Sequence, residues 1–480
     1  MEVATMAMTR TKAMNIRTEL GHPVIDGDGH VLELRAVFAD FCRDHGAGAI
    51  VDGVPPLSGK TEWMNPDLPP EEKRRLGLLP VSWHAAAETE YFADVTLPSR
   101  YYERLDEAGI DFSVLYPTMG LMIHSLPVDE QRITLSRLYN EFMAEQYRPY
   151  RDRFTMAAII PAHTPDEAIA GLEHAQGLGA KVCLMPSHIR RPLGEDTGRD
   201  DLKIASWMTS CWIDAFGLDS EHDYDPLWAR AVALGMPLAA HSSGMGFSDR
   251  QSITNYLNNQ IGHFAASGGA LAKSLFLGGV THRFPDLRIA VLEGGCHMGV
   301  EILVALVSTW GKRNPAVIGR LDPKSTDRGR YDEILAAYAP ELSARYSADE
   351  LIPRGRDSVH DDFELTGVTS EQDIIDQFTR TFTWGVEGDD PLVGLAFDDR
   401  VLPRGARIRC LMGSDIGHWD VPRFDEPLEE AYELLEKGIL DASQLRDFLF
   451  AYPARYLTDA NPDFFVGTAI EAEVKAELDA

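Results

Sequence analysis

Asp28 and His30 lie two residues apart in the run Val24-Ile25-Asp26-Gly27-Asp28-Gly29-His30, which ends a short β-rich stretch near the start of the chain. At that spacing both side chains point to one face of a strand. Three later stretches end in the same manner. Leu238-Ala239-Ala240 leads into His241, Val291-Leu292 into Glu293 and Gly294-Gly295, and Leu411-Met412-Gly413-Ser414 into Asp415, with His418 close behind. A lone His or Asp at a strand end is usually a structural hydrogen-bonding group. Four strand ends that deliver ionisable groups point to a site. Several carboxylates in one small space are costly unless a cation neutralises them. The pattern therefore predicts a divalent metal held by Asp28, His30, His241, Glu293, Asp415 and His418.

Other residues add to this set. Glu33 follows His30 by three positions and reads as a further metal ligand, a partner that orients His30, or a helix-start residue. His263, on an expected helix after the fifth strand, is either a general acid/base reaching the site or a helix-face structural residue. His188 with Arg190 and Arg191 could grip a substrate carboxylate, since arginine binds such groups in a bidentate manner; solvated loop charge is the plainer reading. His297 is expected to pack or to cap the next helix.

These residues need a frame that brings strand ends together. Eight short, largely apolar runs supply it: Pro23–His30, Asp111–Thr118, Phe154–Pro161, Lys181–Ser187, Pro237–Ser243, Arg288–Gly295, Thr381–Glu387 and Ile408–Asp415. Nearly continuous apolar character fits strands buried on both faces. Helical periodicity falls between several of them, over Asp129–Tyr150, Pro165–Leu178, Pro226–Leu234 and Gly299–Gly311. Strands alternating with helices predict the α/β class, here a single (β/α)₈ TIM barrel, whose active sites form at the C-terminal ends of the strands. Insertions are expected after strands one and four and before strand seven. Residues 1–22 read as an N-terminal extension, 23–466 as the barrel and 467–480 as a tail. The first insertion, 41–99, carries Trp63 and Trp83 and is expected to cover the barrel mouth; the third spans 314–377.

Composition excludes some partners. With 45 Lys+Arg against 75 Asp+Glu, the formal net charge of −30 repels nucleic acid and anionic lipid. Five cysteines, none at CxxC spacing, suit a reducing compartment. Residues 1–21 lack the apolar stretch of a signal peptide, and no apolar run is long enough to span a bilayer. The expectation is a cytoplasmic protein with a small-molecule substrate and no nucleic-acid or membrane partner. A homo-oligomer, at its simplest a dimer, is left open.

The same residues resemble the metal-dependent amidohydrolase superfamily, in the branch of aminocarboxymuconate semialdehyde decarboxylase and the resorcylate-type decarboxylases. The resemblance runs from Val24 to Phe465. It is carried by Asp26-Gly27-Asp28-Gly29-His30, by Gly278-Gly279-Val280-Thr281-His282-Arg283-Phe284-Pro285-Asp286-Leu287-Arg288, and by Gly413-Ser414-Asp415 with His418. Tyr139-Asn140 and Tyr452-Pro453-Ala454-Arg455 also fit. The resemblance implies a barrel, a divalent metal and a proton-shuttling role for Asp415. Two departures stand out: Asp28 occupies the first position of the family's usual His-x-His, and Glu293 stands where many members have His. The ligand set shifts from imidazole towards carboxylate, which favours manganese or iron over zinc.

Two enzymatic readings follow. The first is a metal-dependent hydrolase or non-oxidative decarboxylase of a small carboxylic or aromatic compound, with Asp415 moving the proton and His263 as a second acid/base. The second is a non-haem iron monooxygenase with one or two ions, because a carboxylate-rich set with two or three His is of the di-iron chemical type. A non-catalytic barrel is a third reading, at odds with ionisable residues at four strand ends.

Overall fold

The computed structural model describes residues 10–54, 57, 69–71, 88–192, 211–241, 247, 250, 252, 254–355 and 361–479. Ten strands are formed among them: β1 (Ile25–Val31), β2 (Phe112–Pro117), β3 (Phe154–Ile159), β4 (Val182–Pro186), β5 (Ile189–Pro192), β6 (Cys211–Asp214), β7 (Leu238–His241), β8 (Ile289–Val291), β9 (Phe382–Glu387) and β10 (Arg409–Gly413). Eight of them pair in parallel in the order β1-β2-β3-β4-β7-β8-β9-β10. The ring closes where Asp415 N donates to Asp28 O at 3.1 Å and His30 N donates to Ile416 O at 3.1 Å. This is the expected (β/α)₈ barrel, and seven of its eight strands fall within the apolar runs, while β1 extends one residue past its run to Val31. β5 and β6 form an antiparallel hairpin in the insertion after β4.

Some helices form where sequence supplies both a side-chain cap and an apolar face. Thr164 accepts from Glu167 N at 3.2 Å and Pro165 opens the helix Pro165–Gly177. Ser370 and Asp373 make a reciprocal capping box for Glu371–Thr381, which buries Ile374, Ile375 and Phe378. Helix Cys296–Arg313 starts three residues earlier than its periodicity suggests, directly after Gly294-Gly295. The core is continuous, from the barrel interior through Trp384 and Trp228 to the surrounding helices.

At the end opposite the strand exits, helix Lys12–Leu20 buries Ala13 and Ile16, and Arg17 pairs with Asp111, the residue just before β2. Asp111 also accepts from Val24 N at 2.8 Å, which fixes the entry of β1. Of the first insertion, the helices Arg35–Asp44, Gly48–Asp52 and Thr89–Thr96 are described; Trp63 and Trp83 lie outside the described residues. Its last helix meets the strand exits, since Leu32 N donates to Val95 O at 3.3 Å and Gly417 N to the Tyr91 hydroxyl at 3.2 Å. Among the described residues no helix is long and apolar enough to cross a membrane.

Candidate metal centre

β1 brings its acidic and imidazole groups inward at two depths. Asp26, fully buried, accepts from Ser113 Oγ at 2.6 Å, Ser414 N at 2.9 Å, Ser414 Oγ at 2.8 Å and Asp28 N at 3.2 Å. One carboxylate thus ties β1 to β2 and to the exit of β10. Gly29 is required there: a Cβ would stand 2.4 Å from Asp26 Oδ2 and 2.6 Å from Ser113 Oγ. One level out, Asp28 and His30 share a face as their spacing predicts, with Asp28 Oδ1 3.6 Å from His30 Nε2.

Glu293 and Asp415 reach the same point by leaving their strands. Each has φ of 50°, in the left-handed region that non-glycine residues seldom occupy. That turn ends β8 at Val291 and β10 at Gly413, earlier than the apolar pattern suggests, and swings both carboxylates inward. Such backbone strain persists where surrounding structure enforces it and gathers at functional sites.

His30 Nε2 lies 3.4 Å from Glu293 Oε1 and 3.4 Å from Asp415 Oδ1. His241 Nε2 lies 3.1 Å from Glu293 Oε1. His418 Nδ1 faces Asp415 Oδ1 and is 3.7 Å from Glu293 Oε1, while its Nε2 is 3.1 Å from Thr118 Oγ1. The His30 ring is 5.2 Å from that of His241 and 4.0 Å from that of His418. Ligand atoms of His30, Glu293, Asp415 and His418, and again of Asp28, His30 and His241, lie within 4.8 Å of one another. Both ring nitrogens of His30 and of His241, both Glu293 oxygens, Asp28 Oδ1 and Asp415 Oδ1 are buried without a well-aligned hydrogen-bond partner among the described residues. Buried polar atoms are rarely left so. A cation in their midst would satisfy them together, so the donor set fits a divalent ion.

The electrostatics agree. Burial, then repulsion from Glu293, raises the Asp28 and Asp415 carboxyls well above the ordinary range. Glu293 stays low despite its burial, because His241 and His30 stand against it. Burial lowers His30 and His418 towards their neutral, metal-binding form. Without a cation, then, one carboxylate of the three is stably ionised; with one, all three can be.

Glu33 is not brought into this group. Its oxygens accept from Met119 N at 2.8 Å, Gly120 N at 3.3 Å and the Tyr139 hydroxyl. It is a buried anchor for the turn after β2. Replacing Glu33 by Gln puts donors where three donors already point and should destabilise the fold by about 1–3 kcal/mol. Metal content should not change; its loss in that variant would return Glu33 to the ligands.

His263 is buried in the first turn of helix His263–Leu277, outside the two ligand groupings, while its neighbour Phe264 packs 6.0 Å from the His241 ring. His188 Nδ1 lies 3.2 Å from Ser187 Oγ and 3.1 Å from Ser267 Oγ. Arg191 is committed to Asp214, the His163 carbonyl and the Tyr224 hydroxyl, so it does not await a substrate.

Beside the centre opens a cavity of about 450 Å³, reached by Glu293 and Asp415 and lined by Phe264, Gly294, His297, Glu387, Asp389 and Asp390. No Lys or Arg is among its described lining residues. Glu387 is exposed where β9 ends at this cavity, and desolvation by the neighbouring protein followed by repulsion from Glu293 pushes its carboxyl up to about 8. Sequence reasoning passed over Glu387, although it ends β9 as Glu293 follows β8; the strand-exit rule applied to all eight runs would have found it. His297, expected to pack or cap, also faces the cavity.

A closed parallel barrel with a buried carboxylate–imidazole group at its strand exits defines the class of this protein. The chain belongs to the amidohydrolase family, whose sequence model (Amidohydrolase) matches residues 94–342, a stretch that includes His241 and Glu293. Among solved structures, it resembles an amidohydrolase from Mycobacterium avium subsp. paratuberculosis K-10, with 17% identity over 91% of this chain and 99% of that one and a TM-score of 0.54. A dihydroxybenzoic acid decarboxylase from Polaromonas sp. JS666, solved with manganese and 2-nitroresorcinol, is 16% identical over 92% of this chain and 98% of that one, TM-score 0.47. A 5-carboxyvanillate decarboxylase from Novosphingobium aromaticivorans DSM 12444, solved with manganese, is 15% identical over 94% and 100%, TM-score 0.47. No curated protein matches the sequence.

Proposed function

We propose that the chain is a metal-dependent hydrolase or non-oxidative decarboxylase that acts on a small carboxylic or aromatic substrate in the cytoplasm. The observation that carries this reading is the convergence of Asp28, His30, His241, Glu293, Asp415 and His418 as buried donors with few partners other than one another. A divalent ion held by them supplies Lewis-acid polarisation of a substrate oxygen, or of water. In this reading Asp415 handles the proton. Its Oδ1 faces His418 and its side chain borders the cavity, and burial favours its protonated form. In hydrolysis it takes a proton from water and gives it to the leaving group. In decarboxylation it protonates the carbon that loses CO₂. The glycines at 294 and 295 leave room for substrate, and Phe264 offers an apolar wall. A lining rich in acidic groups and without Lys or Arg among the described residues disfavours free anions. A neutral substrate for hydrolysis meets no such barrier.

The test is elemental analysis of protein purified without added metal, followed by assay of the loaded protein for CO₂ release from hydroxybenzoates and for hydrolysis of neutral esters and amides. About one equivalent of manganese, zinc or iron is expected, the oxygen-rich donors favouring the first and last. Protein that neither retains nor rebinds metal would sink the reading. About two irons per chain, with oxygen uptake in place of CO₂ release or hydrolysis, would move it to the oxygenase class.

A further inference from the structure

A second cavity, of about 290 Å³, opens at the other end of the barrel from the metal centre. It lies where β2, β3 and β4 begin, beneath the end of helix Asp129–Tyr147. The strands themselves mark it. β1, β2, β4, β7 and β8 are buried along their whole length, whereas Thr155 and Met156, near the start of β3, are only half-buried. The helix layer does not close over β3 here. The C-terminal segment supplies a further wall: Val466, Gly467 and Thr468 line the cavity, and Ala469 N donates to Asp152 O at 2.9 Å. The tail set apart in the sequence thus folds back onto the floor of the barrel.

Much of the lining is apolar, with Phe112, Met143, Phe154, Met156 and Leu178. Two cations complete it, Arg151 and Lys181. Each gives one donor to a backbone carbonyl, Arg151 to Leu178 O at 2.9 Å and Lys181 to Phe464 O. Arginine carries five donors and lysine three, so both have donors to spare. Neither forms an ion pair among the described residues, although the chain holds 75 acidic residues against 45 basic ones. The half-buried Lys181 ammonium sits 5.5 Å from the centroid of the Phe464 ring. Burial first, then Arg151, lowers its pKa from the usual lysine value. Like charges kept together in such a place are costly without an anion beside them. Asp152, the one acid in the described lining, is turned to the Tyr102 hydroxyl at 2.7 Å. Asp463 and Glu471 act on Lys181 less than Arg151 does, and Glu471 accepts from Gly467 N at 2.7 Å.

We propose that this cavity binds a small amphipathic carboxylate, its head taken by Arg151 and Lys181 and its alkyl chain laid along Met143, Phe154 and Met156. Small-molecule sites run from about 300 to 1,000 Å³ and combine an apolar wall with a few charged or polar groups, and this cavity has that make-up at the small end of the range. Unbranched methionine side chains adapt to a flexible chain. The cavity beside the metal centre is the electrostatic opposite, acid-lined and without Lys or Arg among its described residues. An anion is therefore drawn to one end of the barrel and disfavoured at the other.

Isothermal titration of the full, metal-loaded chain with octanoate, octanol and octylamine tests this. Octanoate should bind at about one per chain with a dissociation constant below about 1 mM. The alcohol and the amine should bind at least about tenfold more weakly, since they lack the charge-assisted contact. Lys181→Met and Arg151→Gln, with unchanged circular dichroism, should each weaken octanoate at least about tenfold, the usual loss for a hydrogen bond to a charged group. Ala144→Phe, which puts a ring into the cavity and keeps both cations, should abolish binding. Glu293→Gln should leave it unchanged. Octanoate that does not bind overturns the proposal, and so does octanol that binds as tightly. Binding that survives both Lys181→Met and Ala144→Phe, or that Glu293→Gln removes, overturns it as well.

Discussion

Glu293→Gln should leave the barrel folded and weaken metal binding by at least about 10–100-fold, since even outer partners of metal ligands contribute that much. Glu293 carries negative charge into the centre more readily than Asp28 or Asp415, because His241 at 3.1 Å and His30 at 3.4 Å already stand against it. The amide keeps the shape and removes the charge. Glu293→His should shift preference towards zinc, which favours imidazole. The reading is metal content after dialysis, with melting temperature as the check on folding. Full occupancy in Glu293→Gln would make the residue a bystander. The pH dependence carries an independent sign. Asp28 and Asp415 have carboxyls raised by burial, so their protonated forms favour the fold. That contribution is present at low pH and is lost as pH rises through the folded values. His30 and His418, lowered by burial, act oppositely: their contribution grows up to about pH 6.5, where the unfolded histidines lose their protons. Metal-free protein should thus be most stable near about pH 6 and melt progressively lower towards about pH 8. Metal keeps the carboxylates ionised, so the gain in melting temperature on loading should widen with pH. A gain that shrinks from pH 6 to pH 8 would contradict the carboxylate-rich centre.

The barrel was legible because its strands are short apolar runs separated by helical periodicity, a pattern with few other solutions. Strand ends were harder. The expected runs continue to Gly295 and Asp415, but pairing ends at Val291 and Gly413, before the left-handed turns at Glu293 and Asp415. Local propensity cannot foresee a strained turn that distant packing enforces. Asp28 and His30 could be assigned to one face because both lie inside β1, where alternation holds. Glu33 lies beyond Val31, where it no longer does; its direction is set by Tyr139, more than a hundred residues on, and by the turn after β2. The family marks away from the strand exits are structural. Tyr139 holds Glu33, Asn140 exchanges hydrogen bonds of 2.9 Å with both backbone groups of Ile159, and Arg283 clamps Asp225. Such residues identify a fold while contributing nothing to its chemistry directly.

Asp415→Asn should cost about 10²–10⁴-fold in kcat, the usual range for a positioned proton carrier, on whichever substrate the metal-loaded protein turns over. The amide can still accept from a neighbour through one oxygen, but it cannot take up and release a proton. Asp415 is also one of the proposed ligands, so a fall in rate alone would not separate its two roles. Glu293→Gln supplies the comparison. If Asp415 mainly holds metal, both variants lose activity in proportion to lost metal, and saturating metal restores both. If Asp415 moves the proton, saturating metal rescues Glu293→Gln and leaves Asp415→Asn slow. The substrate requirement separates them further. A variant lacking the proton carrier should recover in part on substrates whose leaving group needs no proton, such as a nitrophenolate, because proton delivery is then dispensable while removal of the proton from water is not. His418, which faces Asp415, should act through it: His418→Gln should shift the pH at which kcat falls by altering the neighbourhood of that carboxyl, and should have little further effect in the Asp415→Asn background. An Asp415→Asn protein that regains wild-type kcat at saturating metal would place the proton elsewhere, with His263 and His297 the next groups to test, since Phe264 and His297 already border the cavity beside Glu293.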